Sequence, residues 1–221
     1  MVDVPNTPAR NALILGATGL VGGHCLTMLL DAPEYETVFA LLRRTTGIDS
    51  NKLVEVTLEA DSDSPFRIDA EIDHVFIAFG TTIKKAGSQE RMTEIDVDIP
   101  FAVAQKAREA GARHLSLVSS LGANAESRIF YNRIKGELEE KLSHLGFESV
   151  SFLRPSVIGG ERSADSRMGE AIGQRLMSLL PRKWKTIPAE VIASAMIKTA
   201  LHPEPGVRII PSEEIWGISQ G

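Results

Sequence analysis

A chain of 221 residues that is 43% hydrophobic and 24% charged can bury a substantial core, and its composition is that of an ordinary soluble globular domain. The net charge of −5, with no long basic run, argues against nucleic acid as a partner, because neutralising phosphates takes clustered Lys and Arg. One cysteine, Cys25, excludes an internal disulfide, and the scattered His24, His74, His114, His144 and His202 show no metal-ligand spacing, so no metal is expected.

Residues 1–10 hold two prolines and lack a basic-then-apolar signal pattern, so they read as a flexible leader to a single domain over 11–221. No apolar run is long enough to cross a bilayer, and a cytoplasmic protein away from the membrane is expected.

Ala12-Leu13-Ile14-Leu15 reads as a buried strand that runs into Gly16-Ala17-Thr18-Gly19-Leu20-Val21-Gly22. Leu26, Leu29 and Leu30 then recur at helical spacing. A strand turning through glycines into a helix presents backbone N–H groups at the positive end of the helix dipole, which suits a pyrophosphate. Gly16 permits the tight turn, Gly19 lets backbone approach phosphate, and Gly22 lets helix pack on strand. The spacing is G-x-x-G-x-x-G, not G-x-G-x-x-G. A bare βα turn has the same glycines; the flanking strand and helix are what favour a dinucleotide site.

Further strands are expected at Thr37–Leu42, Leu53–Leu58 and Asp73–Phe79, the last closed by Gly80-Thr81-Thr82. A long helix follows over Ser88–Ala110, kinked at Pro100 and ended by Gly111. His114–Val118 forms a fifth strand leading into Ser119-Ser120, Ile129–Leu145 a helix stopped by Gly146, and Ser149–Leu153 a sixth strand. Met168, Ala171, Ile172, Leu176 and Leu179 make an apolar helical stripe closed by Pro181. Val191–Leu201 reads as a buried helix and Val207–Ile210 as a short last strand. This alternation predicts an α/β fold: a doubly wound, Rossmann-type, mainly parallel sheet with helices on both faces. Residues 156–206 are expected to add a small substrate-binding cover.

Tyr131 and Lys135 stand at i and i+4 on one helix face. Two readings stand: Lys135 stabilises a phenolate, so that Tyr131 can exchange a proton with a substrate oxygen near neutral pH, and can donate hydrogen bonds to a cofactor ribose, or the pair merely covers the sheet from the helix surface. Ser119 and Ser120, at the preceding strand end, can orient a carbonyl or simply form a turn.

These motifs together resemble the short-chain dehydrogenase/reductases of the extended or atypical branch. The resemblance rests on GATGLVG, on AFGTT after the fourth strand, on LVSS followed by YNRIK, and on LRPSVIGG. FGTTIKKAGS and the spacing from LVSSLGA to FYNRIKGELE are similar to the small group related to the Tat-interacting oxidoreductase. It spans Asn11 to Leu201. It implies that Gly16, Thr18, Gly19, Leu20, Val21 and Gly22 hold the pyrophosphate, and that Phe79, Gly80 and Thr81 pass the adenosine side. It also implies a catalytic group of Ser119 or Ser120, Tyr131 and Lys135, with Ser120 slightly preferred. Pro155, Ser156 and Val157 would meet the nicotinamide.

The second strand ends Leu41-Leu42-Arg43-Arg44-Thr45, with no carboxylate for ribose hydroxyls. Two guanidiniums suit a 2′-phosphate, so NADP(H) is preferred, with NAD(H) as the alternative. The expected function is hydride transfer to or from a small carbonyl or alcohol substrate. Two other readings remain: an NADPH-sensing binding module acting on a protein partner, and sugar-nucleotide epimerisation, which usually needs a larger substrate domain.

Overall fold

The computed structural model describes residues 9–59, 64–159 and 186–220. Its strands bury both faces. In β1 (Arg10–Leu15), Ala12 and Ile14 enter one core while Leu13 and Leu15 enter the other. The remaining strands are β2 (Tyr35–Leu42), β3 (Leu53–Thr57), β4 (His74–Ile77), β5 (His114–Val118), β6 (Ser149–Arg154), the two-residue β7 (Ile158–Gly159) and β8 (Ile187–Pro188), and β9 (Gly206–Pro211).

Seven of them form one sheet in the order β3-β2-β1-β4-β5-β6-β9, every neighbouring pair parallel. This is the expected doubly wound Rossmann-type arrangement. The strand order reverses between β1 and β4, and that switch point leaves a crevice at the carboxyl ends of the strands. β7 and β8 pair separately and tie the segment after β6 to the one entering the next helix.

On one face lie α1 (Leu20–Asp31) and a later helix, α6 (Ala189–Leu201). Cys25, Leu26 and Leu29 of the first join Ile192, Ala193 and Met196 of the second, against Ile14 and Phe76. Cys25 is fully buried, and burial pushes its thiol pKa up, which fits a structural thiol. The other face carries α4 (Ile99–Glu109) and α5 (Phe130–Ser143), whose Val103, Ala107, Ile134, Leu138 and Leu142 pack with Leu13, Val75, Leu115 and Phe152.

The helix expected over Ser88–Ala110 is not continuous. After a short α2 (Ile83–Ala86), the chain forms α3 (Gln89–Thr93), a π-helical turn over Glu94–Asp98, and then α4. Pro100 explains the break: it has no N–H to donate to the carbonyl four residues back, at Asp96, and its ring crowds that carbonyl. The wider turn accommodates both effects.

A closing helix, α7 (Ser212–Gln220), buries Ile215 in the first core; the sequence reading did not include it. The apolar stripe from Met168 to Leu179, with Pro181, lies outside the described residues. Among the described residues, no helix is long and apolar enough to cross a membrane.

Candidate functional site

The glycine turn after β1 has the geometry its sequence demands. Gly16 sits at φ +98°, and a Cβ there would overlap the Ala78 carbonyl at the exit of β4. A Cβ on Gly22 would overlap the Gly16 carbonyl, so α1 can close on the turn only with glycine at that position. Gly19 is the N-cap of α1 and brings no side chain of its own to its N–H groups.

A cavity of about 560 Å3 opens at the switch point, within the size range of small-molecule sites. Gly16, Thr18, Gly19, Leu20 and Val21 line it, and so do Arg43, Arg44, Phe79, Gly80, Thr81, Ser119, Tyr131 and Lys135. Gly22 lies behind this wall in its packing role. Ser120, Pro155, Ser156 and Val157 are not among the lining residues; beyond β6 the wall is made by Ile158.

Lys135 is 3% exposed, with its Nζ 5.9 Å from the centre of the Tyr131 ring. The nearest charge to it is one the sequence reading missed. Asp96, in the π-helical turn and fully buried, places Oδ2 3.0 Å from Lys135 Nζ, an ion pair lacking hydrogen-bond alignment at Oδ2. Its Oδ1 accepts a hydrogen bond from the Thr81 N–H at 2.7 Å, tying the β4 exit loop to the same carboxylate. Gly80 leaves room for this pair, since a Cβ there would stand 3.0 Å from Asp96 Oδ2 and 3.3 Å from Lys135 Nζ. The signal was visible: Met92, Asp96, Ile99, Val103 and Ala107 follow one another at intervals of three and four, which puts a carboxylate on the buried stripe.

The two serines separate. Ser119 is buried, lines the cavity, and its Oγ has no hydrogen-bond partner among the described residues. Ser120 is half-buried and donates to the Leu121 carbonyl at 3.3 Å. Of the two, Ser119 is the one that faces the cavity, because the strand end turns Ser120 towards its own loop.

The segment after β6 is held beside this strand end: the Leu121 N–H donates to the Pro155 carbonyl at 3.0 Å, and the Ser156 N–H to the buried Ser212 hydroxyl at 3.0 Å. Arg43 and Arg44 are exposed at the β2 exit, without a carboxylate partner among the described residues. Glu55 of β3 accepts from the Thr46 N–H at 2.7 Å and from its hydroxyl at 2.5 Å, which fixes the loop following the arginines. No group of metal ligands occurs among the described residues.

This donor set fits a dinucleotide. A cradle that a Cβ would fill faces the cavity, an unsatisfied buried hydroxyl stands at its β5 end, and two arginines stand at its β2 end.

Comparison with known proteins agrees. A family model described as NAD(P)H-binding matches residues 16–145. Protein FMP52, mitochondrial, of Meyerozyma guilliermondii is 35% identical over 216 residues, covering 92% of this chain and 93% of that protein. The FMP52 protein of Saccharomyces cerevisiae, also named mitochondrial, is 35% identical over 162 residues, 72% of this chain and 70% of its own. Those names overturn the expectation of a cytoplasmic protein; a leader without a secretory pattern did not bear on the mitochondrion.

Among solved structures, a short-chain dehydrogenase family protein from Francisella tularensis superposes with a TM-score of 0.68 at 13% identity, covering 96% of this chain and 100% of that one. MoeE5 in complex with UDP-glucose and NAD gives 0.66 at 16% identity, covering 93% and 79%. At such identities the likeness is one of fold: the Rossmann fold of the short-chain dehydrogenases. With its glycine turn, its switch-point cavity and its full-length resemblance to FMP52, the chain belongs to the NAD(P)H-binding family.

Proposed function

We propose that the protein is an NADPH-dependent oxidoreductase acting on a small carbonyl or alcohol substrate, and that it works in the mitochondrion like its FMP52 relatives. The observation that carries this reading is convergence: the glycine turn at the β1 exit, Ser119 at the β5 exit, and Tyr131 and Lys135 on α5 line one cavity.

Backbone at the start of α1 holds the diphosphate, and Arg43 and Arg44 meet the 2′-phosphate with charge-assisted hydrogen bonds. The bound nicotinamide supplies or takes up the hydride. Ser119 donates to the substrate carbonyl oxygen and fixes its direction. Tyr131 gives that oxygen its proton in reduction and takes it back in oxidation. Lys135 keeps a positive charge beside the phenol, and Asp96 holds that ammonium in place. Ile158 forms the wall at the nicotinamide end, and Pro155, Ser156 and Val157 back it from behind.

Calorimetric titration with NADPH and NADH tests the cofactor, and Arg43→Ala should narrow the preference for NADPH by about tenfold, the scale of one lost charge-assisted contact. Tyr131→Phe should bind NADPH normally yet lose about a hundredfold or more in turnover. Full activity in that variant would remove Tyr131 from the mechanism, and absence of binding by either nucleotide would remove the function.

A further inference from the structure

The helix that presents Tyr131 carries two more polar groups on the same stripe, Lys135 at i+4 and Glu139 at i+8. Each is tied to a different element beside the crevice. Lys135 meets Asp96 of the π-helical turn. Glu139, 5% exposed, accepts from Nε of Arg154 at 3.0 Å and, through its second oxygen, from Nη2 of the same guanidinium.

Arg154 is the last residue of β6, immediately before Pro155–Val157. A planar guanidinium that grips both carboxylate oxygens fixes orientation as well as distance, which a lysine contact cannot do.

Packing removes the alternative ways for α5 to settle. Gly136 lies so close to the loop after β5 that a Cβ would overlap the backbone of Asn124 and Ala125. The helix therefore cannot slide further onto that loop, and slack at Glu139 becomes movement away from β6. Stability alone gives little reason for an ion pair here, because a well-packed apolar pair in such a place is often equally stable. Direction is what the fork adds.

We infer that Glu139 and Arg154 are positioning residues: their ion pair sets the separation between the Tyr131 hydroxyl and the strand end that leads into Pro155–Val157. The inference rests on the oxidoreductase reading above. Neither side chain is among the residues lining the cavity, so both act through α5.

The test uses the full chain with Arg154→Met, Arg154→Lys and Glu139→Gln, NADPH as cofactor and 9,10-phenanthrenequinone as carbonyl probe. In R154M and E139Q, kcat falls about tenfold to a hundredfold, the scale of an ångström-sized misplacement, while KM for NADPH moves by less than about twofold. R154K keeps the charge without the fork and recovers part of the lost rate. Amide hydrogen exchange, read without turnover, rises about tenfold or more over residues 130–139 in R154M and is unchanged in α1.

Unchanged kcat in all three variants overturns the inference. So does faster exchange spread evenly over the sheet, which marks a role in global stability only. Wild-type protein that binds NADPH yet reduces no quinone counts against the oxidoreductase reading, and the exchange pattern then decides the clamp by itself.

Discussion

Replacing Asp96 with alanine should be among the most damaging single changes at the crevice, and the structure gives the size of the effect. The carboxylate is fully buried, pairs with an ammonium at 3.0 Å that is itself 3% exposed, and accepts the Thr81 N–H. Removing one partner of a buried ion pair leaves an uncompensated charge, at a cost of about 3–5 kcal/mol. The stranded N–H adds about 1 kcal/mol where water does not reach it. A loss near ~5 kcal/mol is a large part of the ~5–15 kcal/mol that stabilises a typical protein, and for a chain of this length it lowers Tm by about 10–20 °C.

Thermal melts followed by circular dichroism at pH 7 measure this directly. Asp96→Asn keeps an acceptor for Thr81 and should fall between wild type and D96A. Adding Lys135→Met to D96A removes the stranded ammonium, so the double variant should be more stable than D96A alone by about 2 kcal/mol. If D96A costs under 1 kcal/mol, and the double variant loses the simple sum of the two single changes, the buried-pair account is wrong.

Gly22→Ala should lose NADPH binding together with several degrees of Tm, because the new methyl overlaps the Gly16 carbonyl; a variant that binds with native affinity would show that the turn has room to spare. Ser119→Ala should reduce kcat by about a hundredfold, the scale of one lost oxyanion donor, while Ser120→Ala stays within about twofold of wild type, and the reverse ranking would restore the sequence preference.

Acid should destabilise the protein through His74 and His114. Burial first, then Arg10 and Arg113, lowers the His74 pKa to about 4, and burial, then His74, lowers that of His114 to about 3. The unfolded chain takes up both protons near pH 6.5, so stability is complete above that value and declines as pH falls towards 4, by roughly 3 kcal/mol or more per histidine. Urea midpoints from pH 7.5 to 4.5 should therefore drop steeply in wild type. In His74→Gln and His114→Gln the slope should flatten, and an unaltered slope would point to the carboxylates instead.

What the sequence made legible was whatever repeats along one element. Continuous apolar strands, helical stripes and the glycine-to-helix turn are local patterns, and they predicted the sheet, its two covered faces and the cradle. What stayed hidden depends on pairing between elements. His74 and His114 stand far apart in sequence without common spacing, yet strand register sets them side by side, with Ser149 next in the row. Their rings meet edge to face at 5.7 Å; Tyr35 shares a hydrogen bond with His74 Nδ1 at 2.8 Å, and Ser149 one with His114 Nδ1 at 2.9 Å. Two-residue strands such as Ile158–Gly159 carry no period at all, and the closing helix SEEIWGISQ contains a glycine that lowers its helical propensity. Asp96 is the exception: its place on an apolar stripe was readable, and only the expectation of a continuous helix obscured its meaning.

The charges of the crevice divide into two kinds with different work to do. Arg43 and Arg44 are exposed, so water solvates them until a ligand arrives, and their contribution to binding is set by what they gain from a phosphate on losing that water. Lys135 is already dry and already paired with Asp96, so the pair as a whole projects a weaker field than a bare ammonium would. On the proposed reading, Lys135 acts less as a long-range attractor of phosphate than as an ammonium held in place by the carboxylate behind it. In the function proposed, charge at the mouth of the β2 strand selects the cofactor, whereas at the phenol the buried pair supplies geometry. That division explains why a helix interrupted by a π-helical turn is tolerated beside the site: the widened turn is what carries a carboxylate to the back of the lysine.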